Sequence, residues 1–430
     1  MTGLMIAAPQ SGAGKTTVTL ALLRALGRRG VAVRSAKAGP DYIDPAFHEA
    51  ASGSSCVNLD PWAMRPELIA SLAGEAGGSA FVVEAMMGLF DGAADGSGSA
   101  ADLAVSLGLD IVLVVDCAKQ SHSVAAVVRG FATHRPGVAL SGLILNRVGS
   151  ARHEALLREA LAPLAIPVLG ALPRSVELAL PERHLGLVQA GEHATLTAFL
   201  DGAADRVEAG CDIDALAALA APGKRGFGSE AAAPLTPLGQ TIAVARDEAF
   251  AFAYPHLLDG WRRAGATIRF FSPLADEAPA ENADAVYLPG GYPELHAGRI
   301  AAAAAFRRSM REAAARGVPI YGECGGYMVL GAGLADGDGS RHEMLGLLPL
   351  ETSFATRRLH LGYRRLAPSD GFVWSGPLRG HEFHYASIDA EGAGKALFTA
   401  MDARGNDLGG FGRRSGSVCG SFLHVIDREA

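Results

Sequence analysis

Short apolar runs alternate with helix-period segments over the first two hundred residues: Leu4-Met5-Ile6-Ala7, Phe81-Val82-Val83, Ile111-Val112-Leu113-Val114-Val115 and Gly142-Leu143-Ile144-Leu145. Runs that are apolar at consecutive positions, rather than at every second one, predict strands covered on both faces, as in a parallel sheet with helical crossovers. Val18 to Arg29 predicts one such helix, directly after the first strand and a glycine-rich turn. The alternation then fades. From about Cys211 to Gly239 the chain is rich in alanine, glycine and proline and carries Ala221-Pro222-Gly223-Lys224-Arg225-Gly226, which reads as a surface linker. It restarts at Thr241, with strand candidates at Ile242-Ala243-Val244-Ala245, Thr267-Ile268-Arg269-Phe270-Phe271, Ala285-Val286-Tyr287-Leu288 and Val318-Pro319-Ile320-Tyr321. The pattern predicts two α/β domains, residues 1–200 and 240–430, joined by a linker region at 201–239. No repeat of a length that would indicate a solenoid is visible.

Composition narrows the class. Among 430 residues, 49% are hydrophobic and 19% charged, which excludes a disordered or fibrous chain. No run approaches the roughly 20 apolar residues of a membrane span, and the first strand passes straight into Pro9-Gln10-Ser11-Gly12 without a cleavage site, so a cytoplasmic protein is expected. A net charge of −7 with no basic stripe argues against nucleic acid as a partner. The five cysteines, Cys56, Cys117, Cys211, Cys324 and Cys419, lack metal-ligand spacing and are too scattered for a disulfide framework.

Ser11-Gly12-Ala13-Gly14-Lys15-Thr16-Thr17 stands between a strand and a helix, the context a phosphate-binding loop requires. Glycines let consecutive N–H groups turn toward phosphate oxygens, Lys15 can reach the terminal phosphates, and the Thr16 hydroxyl can ligate Mg²⁺. The first glycine of the usual pattern is replaced by Pro9. Two acids near strand ends, Asp41 and Glu84, are placed to face a metal-nucleotide, because ligands collect at the carboxyl ends of strands in such sheets. Asp91 is a third candidate. Asn146, ending its strand, suits either reading a base edge or capping a helix.

In the second half, Tyr321-Gly322-Glu323-Cys324-Gly325-Gly326 puts a cysteine between glycines, after a strand and before a helix. That is the setting of a nucleophile elbow, where the helix start is expected to lower the thiol pKa and Gly325 to help form an oxyanion hole. Gly290 and Gly291, after the strand ending at Leu288, offer further N–H groups. The other four cysteines read as small buried side chains. His381, His384 and His424 are the available bases, and His424 stands at the end of a probable strand. His381 and His384 can equally be core residues or substrate ligands, and zinc held by them with Glu382 lacks a further matched ligand.

Lys37-Ala38-Gly39-Pro40-Asp41-Tyr42-Ile43-Asp44-Pro45, Met87-Gly88-Leu89-Phe90-Asp91-Gly92, Gly322-Glu323-Cys324-Gly325-Gly326 and His381-Glu382-Phe383-His384-Tyr385 occur in that order. With them nearly the whole chain resembles the cobyrinic acid or hydrogenobyrinic acid a,c-diamide synthase family of cobalamin biosynthesis. The resemblance implies an N-terminal domain like dethiobiotin synthetase and a C-terminal class I glutamine amidotransferase-like domain. ATP, L-glutamine and a corrinoid polycarboxylate would be substrates, with Mg²⁺ as cofactor. It further implies catalytic importance for Asp41, Glu84 and Asp91, nucleotide contacts from Gly12 to Thr17 and Asn146, and substrate contacts from Lys37 and Tyr42. Metal ligands would be Thr16, Asp41 and Glu84. Many class I glutaminases carry a glutamate two positions after the histidine; here His424-Val425-Ile426 has isoleucine, so a Cys324–His424 dyad is expected, with no acid identified to orient the histidine. Nickel-sirohydrochlorin is an alternative acceptor, and a nucleotide-driven switch of the partitioning or septum-placement kind is an alternative class. Alanine-rich helices are compatible with a monomer or a homodimer.

Overall fold

The computed structural model describes residues 3–175, 182–183, 186–222 and 232–429. Contacts divide the chain into two units, residues 1–62 with 66–232, and 63–65 with 233–430.

In the first unit the apolar runs form strands β1 (Leu4–Ala7), β2 (Val33–Ala38), β3 (Cys56–Leu59), β4 (Ala80–Glu84), β5 (Asp110–Asp116), β6 (Leu140–Val148) and β7 (Val168–Pro173). They lie in the order β3-β2-β4-β1-β5-β6-β7, every neighbouring pair parallel. All four residues of β1 and all five of β4 are buried, as a strand covered on both faces requires. The chain runs to one side of β1 for β2 to β4 and to the other from β5 onward, so the turn after β1 sits where the winding reverses, the usual place for a ligand. The predicted first helix is α1, Lys15–Arg28, which begins three residues earlier than the apolar pattern suggests because Gly14, at φ 95°, turns the chain directly into it. Further helices of this unit are α2 (Asp44–Ser52), α3 (Pro66–Gly74), α4 (Ala100–Leu107), α5 (Val124–Thr133) and α6 (Ala151–Leu161).

Part of the expected linker is structured. Residues Leu196–Gly210 and Ile213–Ala220 form helices α7 and α8, both in the first unit. Leu200, Ala203, Ala204 and Val207 of α7 are buried, and Arg24 and Arg28 of α1 pair with Asp201 and Asp205 at 2.8 and 2.6 Å. Small apolar residues at helical spacing let two helices approach closely, whereas their composition alone resembles a loop. Gly223 to Gly226 lie outside the described residues.

In the second unit a six-stranded sheet runs Thr267–Phe271, Thr241–Ala245, Ala285–Leu288, Ile320–Glu323, Val418–Ser421, Arg413–Ser415, parallel except for the last pair. Phe306 and Met310 of helix Ala304–Ala315 and Tyr327 to Leu330 after the turn at Cys324 fill its core. A second, antiparallel sheet joins Asp407–Phe411, Phe398–Met401, His360–Pro368, Leu378–His384 and Leu423–Arg428. Val418–Ser421 belongs to the first of these sheets and Leu423–Arg428 to the other, with Phe422 between them. That switch carries the last histidine from one sheet onto the other.

Among the described residues no helix is long and apolar enough to cross a membrane.

Candidate functional sites in the two units

In the first unit Gly12 and Gly14 take φ of 76° and 95°, the left-handed conformations that let successive N–H groups face one way. A Cβ on Gly14 would fall on the Asn146 side-chain amide. Asn146 donates from Nδ2 to the Ala13 carbonyl at 2.9 Å, and its Oδ1 accepts from the Arg147 N–H. It therefore shapes the loop from the end of β6 instead of capping a helix. Lys15 is buried and donates to the Met87 carbonyl at 2.6 Å. Burial pushes its pKa down, against the pull of Glu84. Beside Gly14 and Thr17 lies a cavity lined by Asn146, Arg147, Pro173, Ser175 and Arg206. The last of these comes from α7, within the region 201–239 expected to be a linker.

The register of β2 and β4 sets Lys37 opposite Glu84, both buried. Lys37 Nζ is 2.8 Å from Glu84 Oε1 and 2.5 Å from Asp44 Oδ2, while Thr16 Oγ1 donates to Glu84 Oε1 at 2.6 Å and lies 3.4 Å from Asp44 Oδ2. Sequence reasoning singled out Asp41. Its Oδ1 instead accepts from the N–H groups of Ile43 and Asp44, and its Oδ2 stands 4.0 Å from Lys37. Asp44, the first residue of α2, is the acid brought beside Thr16 and Glu84. Asp91 accepts from the Gly88 N–H at 2.8 Å and so holds the turn that presents the Met87 carbonyl to Lys15. Tyr42 is half-buried between Asp41 and the start of α2.

Electrostatics here follows from burial and pairing. Burial works against the charged form of Glu84, but Lys37 and then His48 outweigh it and hold the carboxylate ionised well below its ordinary range. Burial likewise opposes the Lys37 ammonium, and Asp44, Glu84 and Asp41 together push it above its usual value. Burial pushes Asp44 up, as do the Asp41 and Glu84 charges, against the pull of Lys37. His48 was not singled out in the sequence. It is fully buried, and its Nε2 donates to Glu84 Oε2 at 2.7 Å. Burial alone would lower its pKa, but the Cys56 sulfur and Glu84 raise it from 6.5 to about 10.

A raised histidine pKa contributes stability that is complete below the unfolded value and is lost as pH rises through the folded one. The His48–Glu84 pair should thus stabilise fully below about pH 6.5 and fade toward about pH 10. His48→Asn is expected to cost about 3–5 kcal/mol at pH 6.5, the scale for removing one partner of a buried pair. Denaturant midpoints at pH 6.5 and 10 check this. The fall between them should be larger in the parent protein than in the variant, and equal falls would show that the pair contributes nothing.

In the second unit Cys324 sits at φ 46° and ψ −105° between strand Ile320–Glu323 and helix Gly325–Leu330. This strained turn needs small neighbours: a Cβ on Gly326 would strike the Leu288 carbonyl, and one on Gly325 would stand 3.0 Å from the Gly291 nitrogen. Gly290 is equally constrained, since a Cβ there would lie 2.6 Å from His424 Cε1 and 3.3 Å from Cys324 Cβ. Gly290, Gly291, Gly325, Cys324 and His424 thus meet at one place. The Cys324 N–H donates to the Ser421 carbonyl at 2.8 Å. His424 is the second residue of a strand, Leu423–Arg428, instead of ending one.

The expected lowering of the thiol pKa is not what the surroundings produce. Burial pushes Cys324 up, the Glu294, Glu323 and Glu382 carboxylates push the same way, and the Gly325 N–H opposes them. His381 is buried with its ring 5.0 Å from that of His424. His384 is buried, with Nδ1 donating to the Ala386 carbonyl at 3.1 Å and Nε2 3.0 Å from Glu382 Oε1. His360, Glu382 and His384 bring ligand atoms within 4.8 Å of one another. The two rings, however, stack at 4.6 Å with 5° between their planes, and Arg364 already pairs with Glu382 at 2.6 Å. Lone pairs of parallel rings do not converge on one ion, so this cluster is arranged as a stack over a neutralised carboxylate.

Comparison with known proteins places both halves. Residues 4–188 match the family model described as the CobQ/CobB/MinD/ParA nucleotide binding domain, and residues 241–430 match the CobB/CobQ-like glutamine amidotransferase domain. The chain is 65% identical over 431 residues to a hydrogenobyrinate a,c-diamide synthase of Brucella anthropi. It is 63% identical over 429 residues to the protein of that name from Rhizobium meliloti, and 53% identical over 435 to that of Mesorhizobium japonicum. Each alignment covers 99% of this chain and 99% of its relative. With a nucleotide-binding half, a glutamine amidotransferase half and full-length kinship of this degree, the chain belongs to the cobyrinic acid or hydrogenobyrinic acid a,c-diamide synthase family and is a glutamine-hydrolysing amidotransferase.

Proposed function

We propose that the protein converts the a and c side-chain carboxylates of hydrogenobyrinic acid to amides, using ATP and glutamine. The observation that carries this reading is the presence, in one chain, of a phosphate loop with its carboxylate cluster and of a cysteine–histidine pair between glycines, in a chain whose full-length relatives bear the hydrogenobyrinate name.

In the second unit Cys324 attacks the carboxamide of glutamine, and His424 accepts the thiol proton and later returns it to the leaving ammonia. N–H groups of Gly290, Gly291 and Gly325 stabilise the oxyanion. Water then hydrolyses the thioester to glutamate. In the first unit the Gly12 to Thr17 loop and Lys15 cradle the phosphates, and the base occupies the cavity lined by Asn146, Pro173 and Arg206. A corrinoid carboxylate attacks the γ-phosphoryl group of ATP, breaking its bond to the β-phosphate so that ADP leaves and an acyl phosphate forms, and ammonia displaces phosphate from it to leave an amide. Tyr42 serves the corrinoid side of the site, whereas Lys37, expected there from the sequence, is buried on Asp44 and Glu84.

Thr16, Asp44 and Glu84 crowd three oxygen-bearing side chains together, a donor set that fits Mg²⁺ and that Lys37 now neutralises. When bound, Mg²⁺ would offset charge on the nucleotide phosphates. Asp41 would act on that set from behind, through the turn that fixes Asp44.

Mass spectrometry of products tests the reading, after incubation with Mg-ATP, glutamine and, separately, hydrogenobyrinic acid, cobyrinic acid and nickel-sirohydrochlorin. A diamide from hydrogenobyrinic acid is expected. A product from another acceptor alone would move the substrate assignment to that acceptor. Glutamine hydrolysis with no amidated acceptor would overturn the assignment altogether.

A further inference from the structure

Isoleucine at position 426 leaves His424 without the acid that many glutaminases carry two residues on, yet a fully buried carboxylate faces the same ring from another strand. Glu323 Oε2 lies 3.7 Å from His424 Nδ1, and both side chains are 1% exposed. The carboxylate is held by three donors. The Tyr287 hydroxyl donates to Oε2 at 2.7 Å, the Tyr321 hydroxyl to Oε1 at 2.9 Å, and the Val425 N–H to Oε1 at 3.1 Å. Burial, and after it Glu323, pushes both tyrosine pKa values well up, so each stays a hydroxyl donor.

The register explains how this arrangement arises. Tyr287 and Tyr321 are partners on adjacent parallel strands, and Glu323 pairs with Ser421, three residues before His424. The strained turn at Cys324 sets its Cβ beside Gly290, while the preceding Glu323 side chain stays with the tyrosines and faces Nδ1 of the imidazole. Glu382, on the neighbouring strand opposite Leu423, is engaged by Arg364 and His384. A buried carboxylate is costly unless something offsets its charge. Three neutral donors do part of this, and a cation that forms on His424 during the reaction would be offset at short range only then. Such an interaction, stronger in the transition state than in the resting enzyme, accelerates the chemistry.

We propose that Glu323 is the positioning residue of the glutaminase centre: through Nδ1 it orients His424 and stabilises the imidazolium, taking the place vacated by Ile426. This rests on the reading of Cys324 and His424 as nucleophile and base. Glutaminase rates of the full-length chain carrying Glu323→Gln, Glu323→Asp or Cys324→Ala, each followed from pH 5 to 9, test it.

Glu323→Gln should lower kcat for glutamine hydrolysis by on the order of 10²–10⁴-fold, the scale for neutralising the acid behind a catalytic histidine. KM should change little. The acid limb of kcat/KM should move down by about one pH unit, because removing a nearby anion lowers the histidine pKa. Glu323→Asp should recover part of kcat and restore the limb toward its original position. The pH of that limb does not depend on how much of the sample is folded, so a merely structural role would lower the rate and leave the limb in place. That result would overturn the proposal while the dyad stands. If Cys324→Ala still hydrolyses glutamine, the dyad reading fails, and the role of Glu323 with it.

Discussion

Cys324→Ala is expected to reduce glutamine-dependent amidation by roughly 10⁴-fold or more, the scale on which enzymes lose rate when a covalent nucleophile is removed. Amidation with added ammonia should persist. The basis is the division of the chain: Cys324 and His424 lie in the second unit, while Lys15, Thr16, Asp44 and Glu84 lie in the first. No phosphate-handling group therefore changes. An assay of acceptor amidation with each nitrogen source decides it, and equal loss with both would mean that the thiol does more than release ammonia.

Lys15→Ala should have the complementary outcome, lowering amidation with glutamine and with ammonia alike by on the order of 10²–10³-fold, as when one preorganised electrostatic group is taken from a reacting centre. Lys15 is buried at the start of α1 with its ammonium on the Met87 carbonyl, a neutral partner that a phosphate oxygen would displace. Burial pushes its pKa down in the free protein against the pull of Glu84, and an arriving polyphosphate adds negative charge that favours the ammonium. Phosphate release coupled to amidation is the measurement. Unchanged ATP-dependent turnover would remove the phosphate-loop assignment.

What the sequence discloses is local. Consecutive apolar residues locate β1, β4, β5 and the central strands of the second unit, and the glycine-lysine-threonine run locates the turn after β1, because each is decided within a few neighbours. The turn at Cys324 is legible for the same reason, since only small residues fit around it. The acids are less so. Asp41 and Asp44 stand three positions apart in one segment, and it takes the start of α2 to turn the first onto backbone N–H groups and the second toward Thr16. His48 and Glu323 have no local signal of function. One matters because β2 and β4 lie side by side beneath α2, the other because a parallel register sets it beside Ser421. The expected linker fails at 201–220, where helices with small buried residues pack against α1 and Arg206 lines the cavity by the phosphate loop.

The ring of carboxylates around Cys324 bears on selectivity toward reagents as well as on catalysis. A thiol kept protonated by burial and by three nearby anions is a sluggish target for peroxide and for general alkylating agents, both of which require the thiolate. Glu294 and Glu323, the carboxylates there that Arg364 does not engage, disfavour negatively charged electrophiles and tolerate a molecule that brings its own ammonium group. Inhibitors of this centre would accordingly be sought among zwitterionic glutamine mimics, whose charge compensates the pocket, and not among anionic or small neutral thiol reagents.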